Sequence, residues 1–215
     1  RTINQKMRKL MHLFNMSDDI INQLSLEALR LNSDHDEKVR SIIPEFHVSA
    51  LPMDSKLISE YLKDENNIPD ELFPVLKYMS DRCLYLDDYP FYWCNKTGFK
   101  NRLIVPFFYH NKIVGYTARV INSNANPRYI SEQQPGYVFN LDRQTYERKF
   151  VLVCEGPLDA ISIDACAILG AEVKKSQDYL LRQLNREIVW IPDRDHEGPK
   201  TVEQAIELGW SVSMP

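Results

Sequence analysis

The last third of the chain alternates short apolar runs with amphipathic stretches, and that rhythm limits the possible folds more than any other feature. Phe150–Cys154, Ala167–Leu169, Glu187–Ile191 and Trp210–Met214 read as strands, with Pro157–Cys166, Ser176–Leu184 and Pro199–Leu208 as helices between them. Strand–helix–strand units of this length predict a parallel sheet covered by helices on both faces. Such sheets bind ligands at the carboxyl ends of their strands.

Acidic residues fall at those ends. Glu155 follows the first strand, and Gly156-Pro157 turns the chain into a helix whose first turn holds Asp159, so the two carboxylates can face one crevice. After the run 188–191 comes Pro192-Asp193-Arg194-Asp195-His196-Glu197-Gly198 and another helix. In extended backbone Asp193 and Asp195 point the same way, because side chains alternate with period two. Carboxylates gathered at neighbouring strand ends make a hard-oxygen site suited to Mg²⁺ or Mn²⁺, ions that keep waters and bridge phosphate oxygens. Taken singly, a Glu-Gly turn or an Asp-x-Asp is as readily a helix cap or a turn. Both together in strand–helix–strand register, roughly 40 residues apart, are far more specific.

The net charge of −4 conceals a segregation. Residues 1–95 carry 11 Lys+Arg against 16 Asp+Glu, residues 96–150 carry 9 against 3, and residues 151–215 carry 6 against 11. A basic middle between acidic flanks is either a solvated face or a track for a polyanion. That middle is β-rich: Arg102–Tyr109 and Lys112–Ile121 form a hairpin about His110-Asn111. After a polar loop, Arg128–Ile130 and Tyr137–Phe139 read as two short strands around Gln134-Pro135-Gly136. Tyr116, Tyr129 and Tyr137 interleave with the basic residues. Such aromatics more often pack a β core than stack on bases.

Residues 1–95 read as mainly helical. Met7, Leu10, Met11 and Phe14 share one helix face, and Ser17 caps a second helix whose Asp18 and Asp19 favour the positive dipole end, with Ile20, Ile21, Leu24 and Leu26 expected to pack a core. Further helices are predicted at Ser55–Lys63 and Asp70–Cys83. His12, His35, His47 and Asp87-Asp88 stand isolated, and no chemistry is expected there. Cysteines 83, 94, 154 and 166 form no C-x-x-C pair, which excludes a zinc knuckle and fits a reduced, cytoplasmic setting. The apolar runs fall far short of the roughly 20 residues of a spanning helix, so no membrane partner is expected.

Glu155-Gly156-Pro157-Leu158-Asp159 and Asp193-Arg194-Asp195-His196-Glu197-Gly198 resemble the two signatures of the Toprim domain, shared by bacterial-type primases, topoisomerases and some nucleases. Asn101–Phe107, Lys112–Arg119 and Pro127–Ile130 resemble, in order and spacing, the basic subdomain of bacterial and phage replicative primases, while Gln134–Asp142 and Gly209–Pro215 look closer to the phage members. The resemblance covers roughly residues 98–215, with 50–97 expected to join it.

It implies an α+β then α/β chain: a mainly helical region over 1–95, a basic β-rich template- and nucleotide-binding subdomain over 96–149, and a Toprim domain over 150–215. It also implies synthesis of short RNA primers from ribonucleoside triphosphates on a single-stranded DNA template. Glu155, Asp159, Asp193 and Asp195 would hold the divalent metal, with a general-base role for Glu155 that sequence does not separate from ligation. Lys100, Arg102, Arg119 and Arg128 would grip phosphates, and a replicative helicase would be contacted through regions absent here.

Two departures stand out. No cysteine pair can make the zinc-binding domain of full-length members, and the sequence ends at the strand after which the family carries a further acidic motif, so the Toprim domain is expected to be C-terminally truncated. Two alternatives stay open, a Toprim nuclease and a non-catalytic module that binds single strands.

Overall fold

The structure is a computed structural model that describes residues 5–27, 43–122, 126–144, 147–193 and 198–213. The chain divides into two compact units, Arg1–Ile43 and Pro44–Pro215.

In the first unit α1 (Gln5–Leu13) is followed by α2, helical from 18 to 27. The Ser17 hydroxyl accepts the Ile20 N–H at 3.5 Å, as the capping pattern predicts, and Arg8 donates to the Ser25 hydroxyl across the two helices at 3.2 Å. The expected core is smaller than the pattern suggested: Ile21 is buried, whereas Met7, Leu10, Phe14, Ile20 and Leu26 are exposed. Two short helices cover little more than what lies directly between them.

The second unit holds two sheets. β1 (Lys56–Leu57), β2 (Tyr92–Trp93), β3 (Arg102–Tyr109), β4 (Lys112–Val120) and β5 (Tyr129–Glu132) form an antiparallel sheet in the order β1-β2-β3-β4-β5. His110 and Asn111 both take positive φ, 49° and 60°, which is the two-residue turn whose twist suits a hairpin. The predicted helix over residues 55–63 shortens to β1 followed by α3 (Ile58–Tyr61), and that over 70–83 begins as a 3₁₀ turn before α4 (Phe73–Asp81).

β6 (Phe150–Cys154), β7 (Cys166–Ala167), β8 (Glu187–Trp190) and β9 (Ser211–Val212) form the parallel sheet that the rhythm predicts, in the order β7-β6-β8-β9. Its helices are α5 (Pro157–Ser162), α6 (Lys175–Arg182) and α7 (Gly198–Glu207). α5 is shorter than predicted because Asp164 takes φ 52°, and β7 stops before Leu169, whose φ of 57° is left-handed.

Period-two alternation along β6 explains how this sheet is covered. Val151 and Val153 face a core with Ile188, Leu181 and Trp190, whereas Cys154 and Leu152 join a second core with Leu158, Ala160, Phe107 and Trp93. The second core therefore belongs to both sheets. The segment 137–139, predicted as a strand of the basic region, instead pairs with the edge of the parallel sheet through a bridge between Phe139 and Ala167. No described helix is long and apolar enough to cross a membrane.

Gln177 on α6 closes the seam. With 1% of its surface exposed, its Nε2 donates to the Tyr137 and Ile168 carbonyls, both at 2.8 Å, and its Oε1 accepts the Lys174 N–H at 2.9 Å. Gln177→Leu keeps the volume and strands two buried carbonyls and a part-buried N–H, so it should cost about 3 kcal/mol, read as a lower urea midpoint at unchanged slope. A loss below about 0.5 kcal/mol would mean that water reaches the seam.

Candidate active site

Because β6 and β8 are parallel neighbours, paired at Val153↔Trp190 and extended by the Ile191 N–H donating to the Val153 carbonyl at 2.8 Å, their carboxyl ends lie side by side. Glu155 leaves the first end and Asp193 follows the second. Gly156 caps α5 in extended backbone (φ −99°, ψ 146°) and Pro157 opens the helix, which puts Asp159 in its first turn. A Cβ on Gly156 would come within 2.7 Å of the Asp159 Oδ2, so the missing side chain is the space that this carboxylate occupies.

Facing these acids is the β4–β5 ladder, in which Thr117 pairs with Ser131 and Arg119 with Tyr129. The Thr117 and Ser131 hydroxyls share a hydrogen bond at 2.6 Å. One cleft of about 440 Å³ is lined by Arg128, Tyr129 and Ser131 on one side and by Glu155, Asp159 and Asp193 on the other. A third side is the turn after β7, from Leu169 to Ala171.

The predicted cations separate into distinct positions. Arg128 is exposed and lines the cleft. Lys100 is exposed but is not among the residues lining it. Arg102 is 6% exposed, and its guanidinium is spent on backbone: Nε donates to the Gly98 carbonyl at 3.0 Å, Nη1 to Ala118 at 3.1 Å and Arg128 at 3.5 Å, and Nη2 to Pro127 at 2.8 Å. Arg119 is 8% exposed with its guanidinium carbon 4.6 Å from the centre of the Tyr129 ring. Its Nε has no hydrogen-bond partner among the described residues.

Asp195, the fourth predicted carboxylate, lies outside the described residues. Among the described residues no three His, Cys, Asp or Glu side chains converge tightly enough to enclose an ion. Glu155, Asp159 and Asp193 nevertheless offer oxygen donors alone to one cleft, and that chemistry fits a hard divalent cation that retains most of its waters. Sequence reasoning missed Thr117, Ser131 and the 169–171 turn. The two hydroxyl residues carry a usable signal, since each lies two positions from a singled-out residue and so on the same strand face.

Cys154 sits just beneath the acids. Burial first, then the nearby carboxylates of Asp159 and Asp193, push its thiol up to about 12. The folded state therefore holds it neutral. An unfolded thiol ionises near its ordinary value of 9, so the stability linked to Cys154 is full below that pH and is lost as pH rises towards 12. Native-state alkylation at pH 8 should label the exposed Cys83 and spare buried Cys94, Cys154 and Cys166, with full labelling after denaturation, as read by mass spectrometry. Labelling of Cys154 in the native state would contradict this burial. Gly156→Ala has an allowed backbone and should keep the urea midpoint, yet displace the Asp159 carboxylate and weaken Mn²⁺ binding about tenfold. Unchanged Mn²⁺ affinity would remove Asp159 from the ligand set.

The Toprim-like family profile matches residues 152–212. DNA primases of Campylobacter jejuni and Clostridium acetobutylicum are 26% identical over 123 residues and 28% identical over 126. Those matches take in 50% and 51% of this chain but 20% and 21% of the relatives, so they span about a fifth of each relative's length. A solved DnaG catalytic core superposes with a TM-score of 0.55 at 17% identity, covering 70% of this chain and 65% of that one. The E. coli primase catalytic core gives 0.55 at 14% identity, covering 71% and 66%. The RNA polymerase domain of Mycobacterium tuberculosis DnaG gives 0.53 at 16% identity, covering 69% and 68%. The chain therefore carries a Toprim-like domain together with a basic antiparallel sheet, and it has the fold of a DnaG-type primase catalytic core.

Proposed function

We propose that the chain is the primer-synthesising core of a DNA primase, a nucleotidyltransferase that joins ribonucleoside triphosphates on a single-stranded DNA template. The observation that carries this reading is the single cleft shared by Arg128 and Tyr129 with Glu155, Asp159 and Asp193. A polymerising site needs both a grip on a polyanion and carboxylates at the reacting phosphate, and here opposite walls supply them. The DNA primase relatives and a solved DnaG catalytic domain bound to single-stranded DNA, with a TM-score of 0.53 at 16% identity, support the choice of reaction.

In that reaction a 3′ oxygen attacks an α-phosphorus and pyrophosphate leaves, a step governed by positioning and charge. Glu155, Asp159 and Asp193, joined by Asp195, would hold Mg²⁺ or Mn²⁺. A divalent ion bound there supplies charge neutralisation for the attacking and leaving oxygens. Glu155 serves as ligand, as acceptor of the 3′-hydroxyl proton, or as both, and each role requires its charge. Arg128 and Lys100 contact template or nucleotide phosphate as exposed cations. Arg102 acts at one remove, by holding the Pro127 and Arg128 carbonyls and with them the edge that presents Arg128. The stretches 134–142 and 209–215 support a phage-type lineage.

Glu155→Gln keeps shape and removes one charge. It should spare template affinity measured by fluorescence anisotropy and abolish dinucleotide synthesis from labelled ribonucleotides. Arg128→Ala should do the reverse, weakening binding on any sequence and reducing the salt slope by roughly 0.7 for each single-strand phosphate that the arginine neutralises. Normal synthesis by Glu155→Gln would reject this active site, and metal-dependent nicking of supercoiled plasmid in place of synthesis would make the protein a Toprim nuclease.

A further inference from the structure

Tyr129 is left without a task by the packing of the sheet. Of the three tyrosines interleaved with the basic residues, Tyr137 is buried and stacks on Phe107 at 5.3 Å and 21° between planes, and Tyr116 is half-buried edge-on to Phe99 at 6.5 Å. Tyr129 is 42% exposed and lines the cleft. Period two and the ladder register put Thr117, Arg119, Tyr129 and Ser131 on one face of the β4–β5 pair, and Thr117, Tyr129 and Ser131 line the cleft with Glu155 and Asp159. One face of the ring is already covered, by the Arg119 guanidinium. That cation is buried, and its Nε finds no other acceptor among the described residues, so the ring is its principal company on that side.

A guanidinium under one face of a phenol ring draws π density towards itself and leaves the opposite face suited to an electron-rich flat partner. The cleft's size of about 440 Å³ falls in the range of small-ligand sites, roughly 300–1,000 Å³, which admits one unstacked nucleotide and not a duplex. The carboxylates opposite repel an anionic group that brings no cation with it, whereas a neutral flat base meets no such repulsion. We infer that Tyr129, backed by Arg119, is the stacking platform for a single unpaired nucleobase in the cleft. The inference rests on the reading of this cleft as a nucleic-acid site and specifies which part of the ligand it holds. A template strand and an incoming nucleoside triphosphate both carry such a base.

The test uses the full chain with Tyr129→Ala, Tyr129→Phe and Tyr129→Trp, and Arg128→Ala for comparison. Three ligands are titrated: an unstructured deoxyoligonucleotide, the same oligonucleotide with abasic sites throughout, and ATP against tripolyphosphate. Stacking predicts that Tyr129→Ala weakens the oligonucleotide, ATP or both by about 5- to 150-fold, the range of one base–aromatic stack, with the salt slope unchanged. Tyr129→Phe and Tyr129→Trp should bind as wild type, and the abasic strand and tripolyphosphate should not distinguish Tyr129→Ala from wild type. Loss on the oligonucleotide alone assigns the base to the template, and loss on ATP alone assigns it to the incoming nucleotide. Equal loss on the abasic strand would overturn the inference, because the ring would then serve only to hold Arg119. Weak binding by Arg128→Ala beside wild-type binding by Tyr129→Ala would overturn stacking while leaving the nucleic-acid site standing, whereas a wild-type chain that bound no strand and no nucleotide would overturn both.

Discussion

A guanidinium taken out of water must find acceptors for its donors, and the way Arg102 finds them sets the geometry of the whole basic edge. Its four acceptor carbonyls come from three separate segments: the turn before β3, the β4 strand, and two successive residues of the segment entering β5. The Arg128 carbonyl also accepts the Val120 N–H at 3.0 Å, so the side chain reinforces the backbone pairing at the end of the sheet. A lysine carries three donors on one nitrogen in place of five spread over a planar fork and could not reach all four carbonyls at once. The segment carrying Arg128 and Tyr129 is thereby fixed to β3 and β4, and their placement on the cleft follows.

The opposite wall is fixed by a different kind of bond. α5 lies against the antiparallel sheet through Leu158, Ala160 and Ile161, in the same core as Trp93, Leu103 and Phe107. Asn140, itself buried, donates to the Ala165 carbonyl at 3.1 Å, and Phe139 and Ala167 exchange backbone hydrogen bonds at 2.8 and 3.2 Å. Since both walls are built on one core, a volume change at a residue such as Leu158 is transmitted to Asp159 beside it. The turn that forms the third side carries the left-handed backbone of Leu169, a conformation that costs an L-residue about 1–2 kcal/mol and is held by the Leu169 N–H bond to the Glu155 carbonyl at 3.0 Å. The strained turn is thus tied directly to the residue that begins the acidic wall.

What was legible in the sequence was whatever depends on near neighbours. The strand–helix rhythm yields the parallel sheet, the His110-Asn111 pair yields the hairpin, and the spacing of Glu155, Asp159 and Asp193 yields three acids on one cleft. What was not legible depends on partners far along the chain. Arg102 looks like a surface cation on an apolar strand, and nothing local reveals that its acceptors lie up to 26 residues away. Tyr137–Phe139 has the composition of a strand of the basic region, but its backbone is claimed by the other sheet. The amphipathic pattern of α1 correctly gives a helix and says nothing about whether its apolar face is covered.

The charge segregation takes on a physical meaning once the two walls are opposed. A net of +6 over residues 96–150 lies between stretches of −5, and the cleft brings an acidic and a basic stretch face to face. Walls that share so small a space lie within roughly a Debye length, ~8 Å at physiological salt, so neither is hidden from the other by bulk ions. Under the proposed function, a phosphate drawn in by Arg128 would then meet Glu155, Asp159 and Asp193, and like charge would oppose its last approach unless a cation intervened. The attraction that assembles a polyanion on the β edge and the repulsion that guards the acidic edge are therefore separate, adjustable quantities. Replacing an acid alters the second without weakening the first, so under the proposed function the cleft would hold a strand firmly while leaving the approach of a phosphate to the acids conditional on a cation.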